Sequence, residues 1–404
     1  MKRDKRYLTA AEAAGALGIK MASLYAYTSR GMLHSENVPG QPRVRRYLRE
    51  DVERLAERKH LRRDPEKLGK NALVRGIPIL ESAITLIEGG RLYYRGQDAI
   101  KLAEQASVEE VAALLWTGHL GHARDLFSRT GVDPTLIRLI ERSAQDHPIV
   151  RCQLILPRAA ECDAAAYDLK LESVSSRGAL ILKLLACAIA AARPSDKIEV
   201  TLQKGWVPSR PGAADLIRSA LILCADHELN VSAFTARCVA SAASTPYDVV
   251  TAGLAALKGR RHGGYTERVE ALLNEMGTPR AADTTVASRL RRGEEIPGFG
   301  HPLYPGGDPR ATMLLSMAES EGHRSSIRAA RALADSVYLA TGEHPTLDFG
   351  LVVLARALQL PQGAALSIFA LGRTIGWIAH AMEQYASDQL IRPRAQYVGP
   401  QPAR

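Results

Sequence analysis

The segment 363–385, GAALSIFALGRTIGWIAHAMEQY, restricts the possible folds of this 404-residue chain more than any other stretch. Drawn as a helix it is apolar on nearly every face, so it has to be surrounded by other elements. Arg373 lies inside the segment, where an unpaired charge would be strongly unfavourable. The sequence therefore predicts a buried helix whose arginine pairs with an internal glutamate or with the carboxylate of a ligand.

Helical periodicity dominates the chain after residue 70, because apolar residues recur there at intervals of three and four. The segments with this pattern are 99–118, 178–192, 213–225, 248–258, 326–340 and 350–385. Alternation of the kind found in strands is confined to short pieces such as 86–94. With 46% hydrophobic residues the chain can bury a large core. We predict a mainly all-α body with short connections, in a protein of two or three domains.

Positive charge is concentrated near the N-terminus. Residues 1–67 contain 16 Lys and Arg against 9 Asp and Glu, whereas the rest of the chain contains 37 against 34. Such an asymmetry favours nucleic acid or another polyanion as a partner of the N-terminal part. The alternative is a basic segment that only keeps the protein in solution.

The cysteines and the N-terminus indicate the compartment. The five cysteines are scattered and none forms a Cys-x-x-Cys pair, so we expect buried free thiols, without a disulfide or a metal site. The first residues, MKRDKRYLTA, contain no apolar signal core, and no uncharged run reaches membrane-spanning length. We therefore expect a soluble, cytoplasmic protein that does not insert into a membrane.

The first 60 residues follow the order helix, turn, helix, hairpin. The sequence TAAE at 9–12 is a capping-box pattern, and it predicts a helix that Gly18 ends. A second helix is predicted over 21–29. A hairpin over 38–48, with its turn at 39–40, follows it.

This order resembles the MerR-type winged helix-turn-helix domain. The resemblance implies a DNA-binding domain over 1–60, with 21–30 as recognition helix and 38–47 as wing, followed by a linker over 61–70. The side chains that would contact phosphates are Arg43, Arg45 and Arg46, and those that would approach bases are Lys20, Ser23, Tyr25 and Arg30. Such domains also serve as protein-interaction or structural modules, so this alternative stays open.

A loop rich in glycine and proline, IPGFGHPLYPGGDPR, occupies 296–310. Gly298 and Gly300 permit backbone conformations that other residues resist, and the four prolines exclude a helix. The loop holds His301 and Arg310 nine positions apart. Rigid loops of this kind occur more often at functional sites than in simple connections, although an ordinary surface loop is the alternative.

The same loop resembles the signature of the citrate synthase family. The matching residues are Gly-Phe-Gly-His at 298–301 and Asp-Pro-Arg at 308–310, and the resemblance extends from about residue 76 to residue 394. It implies a large helical domain, formed by 71–259 and 356–404, and a small helical domain over 260–355 that closes over it.

The resemblance also implies which residues perform the chemistry. Asp348 would be the general base, His262 would donate a hydrogen bond to a thioester carbonyl, and His301 would protonate or stabilise a new alkoxide. Ser232 would hydrogen-bond His262 and set its tautomer. From the residues alone, a basic surface turn would explain His262 and a helix N-cap would explain Asp348.

Oxaloacetate and acetyl-CoA are the substrates that the resemblance implies, with CoA as a product and no tightly bound cofactor. The positions that match the family's oxaloacetate-binding residues are His227, Asn230, Arg310, Arg373 and Arg392. Arg392 would reach the site of a neighbouring subunit, which implies an obligate homodimer. Considered by itself, the segment Asp-His-Glu at 226–228 would be explained equally well by groups that cap a helix end.

Two positions depart from the family pattern. Pro305 stands where the family usually has Arg or Lys facing a CoA phosphate, and Arg260 and Arg261 replace a small apolar pair. Three functions stay open: citrate synthase, 2-methylcitrate synthase acting on propionyl-CoA, and a transcription regulator that senses oxaloacetate or CoA without turnover. His262, His301 and Asp348 together favour an enzyme, because a sensor needs no general base.

Overall fold

The computed structural model describes residues 7–19, 21–29, 33–38, 41–49, 51–52, 80–128, 131–321, 324–395, 397–400 and 402. The chain divides into two compact units, Met1–Glu81 and Ser82–Arg404. The predicted turn at 39–40 and the predicted linker at 61–70 lie outside the described residues.

The first unit combines two helices with a small antiparallel sheet. Its elements are β1 (Tyr7–Thr9), α1 (Ala10–Leu17), α2 (Met21–Ser29), β2 (Ser35–Val38) and β3 (Gln41–Leu48), and the strand order is β1-β3-β2. The predicted capping box is confirmed, since the Thr9 side chain accepts from the Glu12 amide and the Glu12 carboxylate accepts from the Thr9 amide. Gly18 ends α1 in the left-handed conformation, as predicted.

The second unit is mainly helical. A small antiparallel sheet opens it, with strands β4 (Thr85–Glu88), β5 (Arg91–Tyr94) and β6 (Gln97–Asp98). Its described helices, α3 to α18 in chain order, are Ala99–Gln105, Val108–Thr117, Ala123–Ser128, Pro134–Arg142, Pro148–Cys162, Leu171–Ala190, Ile198–Trp206, Ala213–Cys224, Val231–Ser241, Pro246–Leu257, Tyr265–Met276, Ala282–Arg291, Pro309–Glu321, Arg324–Thr341, Leu347–Ala357 and Ala364–Ser387. The expected all-α body is therefore present, apart from this sheet.

Two of the predicted helical segments are each divided into two helices. The segment 99–118 is interrupted at Ser107, whose hydroxyl and Glu110 form a new capping box at the start of α4. The segment 350–385 is interrupted by Pro361 and by Gly363, which has a φ of 80°. Periodicity alone joins such neighbours, because the apolar face continues across the break.

Helix α18 (Ala364–Ser387) lies at the centre of this unit, and Arg373 is buried within it. Close packing around the helix depends on glycines: a Cβ added at Gly376 would lie 2.5 Å from the Ala225 carbonyl oxygen. The Arg373 Nε donates to the Cys224 carbonyl oxygen at 2.8 Å. Of the two partners predicted for Arg373, the internal glutamate is wrong, because a helix carbonyl accepts this hydrogen bond and the acidic group that favours the charge of Arg373 is Asp226.

Two helices are long and apolar enough to cross a membrane by length and composition, α8 (Leu171–Ala190) and α18. Within their most apolar windows, 72% and 100% of the residues are buried inside the protein. Both are therefore core helices of the unit. Three cysteines, Cys152, Cys187 and Cys224, are also buried in this core, whereas Cys162 is exposed and Cys238 is half-buried.

Candidate active site

A cavity of about 800 Å³ in the second unit brings together residues from six separate parts of the chain. The sequence-predicted site residues that line it are His227, Asn230, His262, His301, Arg310, Asp348 and Arg373. They come from the turn after α10 (Ala213–Cys224), the turn after α12 (Pro246–Leu257), the loop 296–310, α15 (Pro309–Glu321), α17 (Leu347–Ala357) and α18. The fold thus collects residues that are up to 146 positions apart, between His227 and Arg373.

His262 is held by the start of α11 (Val231–Ser241). Asn230 caps this helix through its side-chain oxygen, and Ser232 follows in the first turn. The predicted hydrogen bond between Ser232 Oγ and His262 Nε2 is present at 2.7 Å. Burial and the positive charge of Arg373 lower the pKa of His262 to about 3, so the imidazole is neutral at physiological pH.

Asp348 lies in the first turn of α17, two residues after the N-cap Thr346. Asp348 is therefore not the N-cap of α17, although a helix N-cap was the alternative explanation for this residue. Its Oδ1 is buried without a hydrogen-bond partner in the described part of the chain. Removal from water raises the pKa of Asp348 to about 7, while the charge of Arg310 acts in the opposite direction. The carboxylate is therefore poised to exchange a proton near neutral pH.

The loop 296–310 is fixed to the segment that precedes Asp348. The Gly300 amide donates to the His344 carbonyl at 2.9 Å, and the Thr346 amide donates to the Gly298 carbonyl at 2.9 Å. Gly298 has a φ of 91°, and a Cβ there would lie 2.8 Å from the Val269 side chain. These contacts place His301 and Asp348 on two segments that are hydrogen-bonded to each other.

Arg310 is already paired inside the protein. Its Nε and Nη2 donate to the two carboxylate oxygens of Asp308 at 2.9 and 2.8 Å, and both side chains are buried. Asp308 also accepts from the Leu347 amide at 3.1 Å, one residue before Asp348. Arg310 therefore cannot offer its whole guanidinium to a ligand, because one edge of it is occupied by Asp308.

Tyr304 was missed in the sequence as a site residue. Its hydroxyl lies 3.0 Å from His227 Nε2, and its ring contacts the ring of His301 with centroids 5.0 Å apart. The guanidinium of Arg310 lies over the same ring, 5.2 Å from the centroid. Burial and nearby arginine charge lower the pKa of both His227 and His301. The available signal was an aromatic residue three positions after His301, in the same loop rich in glycine and proline.

Comparisons with known proteins identify the family of this chain. Residues 73–394 match the family described as citrate synthase, C-terminal domain. This chain belongs to the citrate synthase family. It is 31% identical over 360 residues to citrate synthase 2 of Bacillus subtilis, which covers 81% of this chain and 95% of that protein. It is 30% identical over 343 residues to 2-methylcitrate synthase 1 of Corynebacterium glutamicum, which covers 77% and 90%.

Solved citrate synthases share the fold. The citrate synthase of Thermotoga maritima aligns with a TM-score of 0.71 and 28% identity, over 83% of this chain and 97% of that one. The citrate synthase of Thermoplasma acidophilum, solved as a ternary complex with carboxymethyl coenzyme A and oxaloacetate, aligns with a TM-score of 0.72 and 25% identity over the same shares. The second unit is therefore an enzyme of the citrate synthase type.

Some residues expected from the citrate synthase resemblance are not in the cavity of the single chain. Arg392 is exposed and does not line it. Pro305 is exposed on the loop, whereas Arg260, Arg261 and Arg268 line the cavity. Among the residues that the structure describes, no group of three or more His, Cys, Asp or Glu side chains is arranged to hold a metal ion.

The predicted DNA-contacting residues belong to the first unit. Tyr25 is 51% exposed on α2, and Arg45 is exposed on β3. Arg46 is paired with Glu36 and lies 4.2 Å over the ring of Tyr7, so its charge is partly neutralised. Ser23 is half-buried. Lys20, Arg30 and the side chain of Arg43 lie outside the described residues.

Proposed function

We propose that this protein condenses acetyl-CoA with oxaloacetate to give citrate and free CoA. The observation that carries the proposal is Asp348, whose Oδ1 has no hydrogen-bond partner in the described structure and lies in the same cavity as His262 and His301. A carboxylate oxygen left without a partner in this way is available to take a proton from a substrate.

The first chemical step is removal of a methyl proton from acetyl-CoA. Asp348 acts as the base, since its pKa of about 7 leaves a substantial ionised fraction at neutral pH. His262 is neutral, so it donates a hydrogen bond to the thioester carbonyl instead of carrying a full positive charge. Asp348 then holds the methyl proton, and the product is an enolate whose oxygen is stabilised by the hydrogen bond from His262.

The second step joins this hydrogen-bonded enolate to the ketone carbon of oxaloacetate. Arg310 and Arg373 bind the carboxylates, and His227 and Asn230 lie beside the ketone. His301 protonates or stabilises the new alkoxide, and hydrolysis of citryl-CoA then releases CoA. The ternary complex of the Thermoplasma acidophilum enzyme with a CoA derivative and oxaloacetate supports this pair of substrates.

The CoA moiety is bound as a substrate and product, without a tightly bound cofactor. Arg260, Arg261 and Arg268 supply positive charge to the cavity, and the first two are exposed. Their positive charge replaces that of the basic residue that the family usually has at position 305, where Pro305 cannot pair with a phosphate. Replacing Arg260 and Arg261 together should therefore raise the KM for acetyl-CoA more than the KM for oxaloacetate.

The test is CoA release from acetyl-CoA and oxaloacetate by the purified full-length chain. Asp348→Asn should lower kcat by roughly 10²- to 10⁴-fold, the usual contribution of a general base. Asp335→Asn, on an exposed part of α16 (Arg324–Thr341), is the matched control and should leave turnover unchanged. Absence of turnover by the unaltered protein, with oxaloacetate still bound, would contradict the proposal and favour a sensing regulator.

A second candidate is 2-methylcitrate synthase, because relatives of that name match at 29 to 30% identity. One methylene changes the discrimination between substrates by only about 1–3 kcal/mol, so pocket size decides between the two activities. The ratio of kcat/KM for acetyl-CoA and propionyl-CoA, measured on one sample, distinguishes them. A ratio that favours propionyl-CoA would replace the first proposal.

We also propose that the first unit is a MerR-type winged helix-turn-helix domain that binds DNA. The order of its two helices and its hairpin supports this, together with exposed Tyr25 and Arg45. Fluorescence anisotropy with a labelled duplex of random sequence should show binding that weakens steeply with salt. Arg45→Ala should weaken it, whereas Arg124→Ala, an exposed arginine of the second unit, should not. Absence of binding at low salt would contradict the proposal.

The assembly and location follow from the same proposal. We expect a homodimer in which Arg392 of one chain completes the cavity of the other, since within one chain this side chain is exposed. We expect a cytoplasmic enzyme, because the two long apolar helices are largely buried in the core.

A further inference from the structure

A chain of hydrogen bonds connects the core helix α18 to His262. The Trp377 Nε1 donates to Ser232 Oγ at 3.1 Å, and Ser232 Oγ lies 2.7 Å from His262 Nε2. Ser232 Oγ is also placed to donate to the side-chain oxygen of Asn230, at 2.8 Å. Trp377 itself is fully buried and lies outside the residues that line the cavity.

The serine hydroxyl has one proton and two acceptors within reach. Asn230 Oδ1 already accepts the amides of Ser232 and Ala233, both at 3.1 Å, and a carbonyl oxygen has two lone pairs. His262 Nε2 is the nearer acceptor. An indole N–H can only donate, so Trp377 occupies one lone pair of the serine oxygen. The serine proton is therefore directed to His262 Nε2, which leaves Nδ1 as the protonated nitrogen.

We propose that Trp377 is a positioning residue of the condensation, which acts through Ser232 to hold His262 in the tautomer protonated at Nδ1. The inference rests on the proposed function, in which neutral His262 donates a hydrogen bond to the thioester carbonyl. Only a protonated nitrogen that is not already bound to Ser232 can make that donation. The other tautomer would present a bare nitrogen to the substrate oxygen and would repel it.

Loss of the indole donor would change which nitrogen of His262 carries the proton. Without it, the buried serine oxygen would have no donor, and His262 could supply one only by carrying its proton on Nε2. Gly253 allows the indole to pack closely, since a Cβ at this position would lie 2.5 Å from the Trp377 ring. Trp377 is also one turn from Arg373 on the same helix, so the group that binds substrate and the group that sets the tautomer move together.

The chain offers a matched control for the indole. Trp116 is also buried, and its Nε1 donates to the Ile375 carbonyl on the same helix at 3.0 Å, but it does not contact Ser232. Trp377→Phe and Trp116→Phe each remove one buried indole N–H. Both substitutions should lower the free energy of unfolding, and only Trp377→Phe should change the tautomer of His262.

The experiment measures ¹⁵N chemical shifts of histidine-labelled full-length protein, with the His262 signal assigned by its loss in His262→Asn. The unaltered protein should show a protonated Nδ1 and a bare Nε2, and Trp377→Phe should show a mixture of tautomers. In the same variant kcat should fall roughly three- to tenfold, the usual effect of one neutral hydrogen bond, with little change in the KM for oxaloacetate. Trp116→Phe should keep the original tautomer and the original kcat.

Either of two results would overturn the inference. One is a protonated Nε2 in the unaltered protein, which needs no variant and holds even if Trp377→Phe does not fold. The other is a folded Trp377→Phe with the original tautomer and kcat. A protein without synthase turnover but with the expected tautomer would instead contradict the proposed function, since the spectra do not depend on catalysis.

Discussion

Asp348 shows how a single residue can serve activity at the expense of stability. Its Oδ1 is buried without a hydrogen bond in the described structure, and its neighbour Asp308 is satisfied by Arg310 and by the Leu347 amide. Two carboxylates in the same region thus have opposite shifts, since the pKa of Asp308 is lowered and that of Asp348 is raised. Such divergence separates a structural ion pair from a group available for proton transfer.

A pH dependence follows at this residue. Because ionised Asp348 is the active form, kcat should rise with pH through about 7 and reach a plateau above it. Measurement of kcat from pH 5 to pH 9 with saturating substrates checks this expectation. A profile that is flat between pH 5 and pH 9 would show that Asp348 is not the base.

The free energy of unfolding should fall as pH rises, whereas kcat should rise. The folded-state pKa of Asp348 lies above the ordinary aspartate value of 3.8, so its stabilising contribution is complete below that value and is lost as pH rises through about 7. Asp348→Asn should therefore be more stable than the unaltered protein at pH 8, by roughly 2–4 kcal/mol, and about equally stable at pH 4. Urea denaturation at both pH values, with Asp335→Asn as control, measures the difference.

Tyr304 should matter through its hydroxyl. Tyr304→Phe removes the contact with His227 Nε2 and keeps the ring that lies against His301 and Arg310. We expect the KM for oxaloacetate to rise roughly five- to tenfold, as for loss of one hydrogen bond. Steady-state kinetics measures the change. Tyr385→Phe, whose hydroxyl donates to the Ser244 carbonyl away from the cavity, should leave this KM unaltered.

At the scale of elements, local signals in the sequence predicted some boundaries, such as those of α1, whereas periodicity alone missed the break at Ser107 and the break between α17 and α18. The Thr9 capping box and Gly18 define α1 through contacts within a few residues. The partners of Arg373 and Arg310 could not be predicted equally well. Asp226 lies on a segment 147 positions from Arg373, and the pairing of Asp308 with Arg310 depends on how the loop folds back on α17. Sequence motifs thus indicated which residues meet, but not which of their atoms stay available.

The loop 296–310 gives a test at this scale. Gly298→Ala would place a methyl group 2.8 Å from Val269 in a backbone conformation with φ of 91°. We expect a loss of roughly 1–3 kcal/mol in the free energy of unfolding and a lower kcat, because His301 and Asp348 lose their common support. Denaturant unfolding and CoA release measure the two effects. Gly306→Ala, in the same loop but with open space around it, should change neither.

At the scale of the molecule, the two units have different chemical character. The first has a small core of its own, which includes Leu8, Leu17, Leu24, Tyr47 and Val52. The second contains the large helical core and the cavity. The excess positive charge of residues 1–67 thus belongs to the first unit, whereas the residues proposed for the condensation belong to the second.

The proposed exchange of Arg392 between subunits predicts complementation. Asp348→Ala and Arg392→Ala should each be nearly inactive alone. Subunits of the two variants, mixed, denatured and refolded together, should regain about a quarter of the unaltered activity, because half of the dimers are hybrids and each hybrid has one intact site. Activity that stays at the level of the separate variants would show that Arg392 acts within its own chain or not at all.

The location of the cavity arginines Arg260 and Arg261 has a consequence for how this protein can evolve. Arg260 and Arg261 are exposed in the turn before α13 (Tyr265–Met276), whereas Arg373 and Trp377 belong to the buried helix α18. Substitutions in the turn remove no core packing, and those on α18 do. A lineage could therefore change its affinity for the CoA moiety by substitutions in this turn, while selection for a folded protein keeps α18 unaltered.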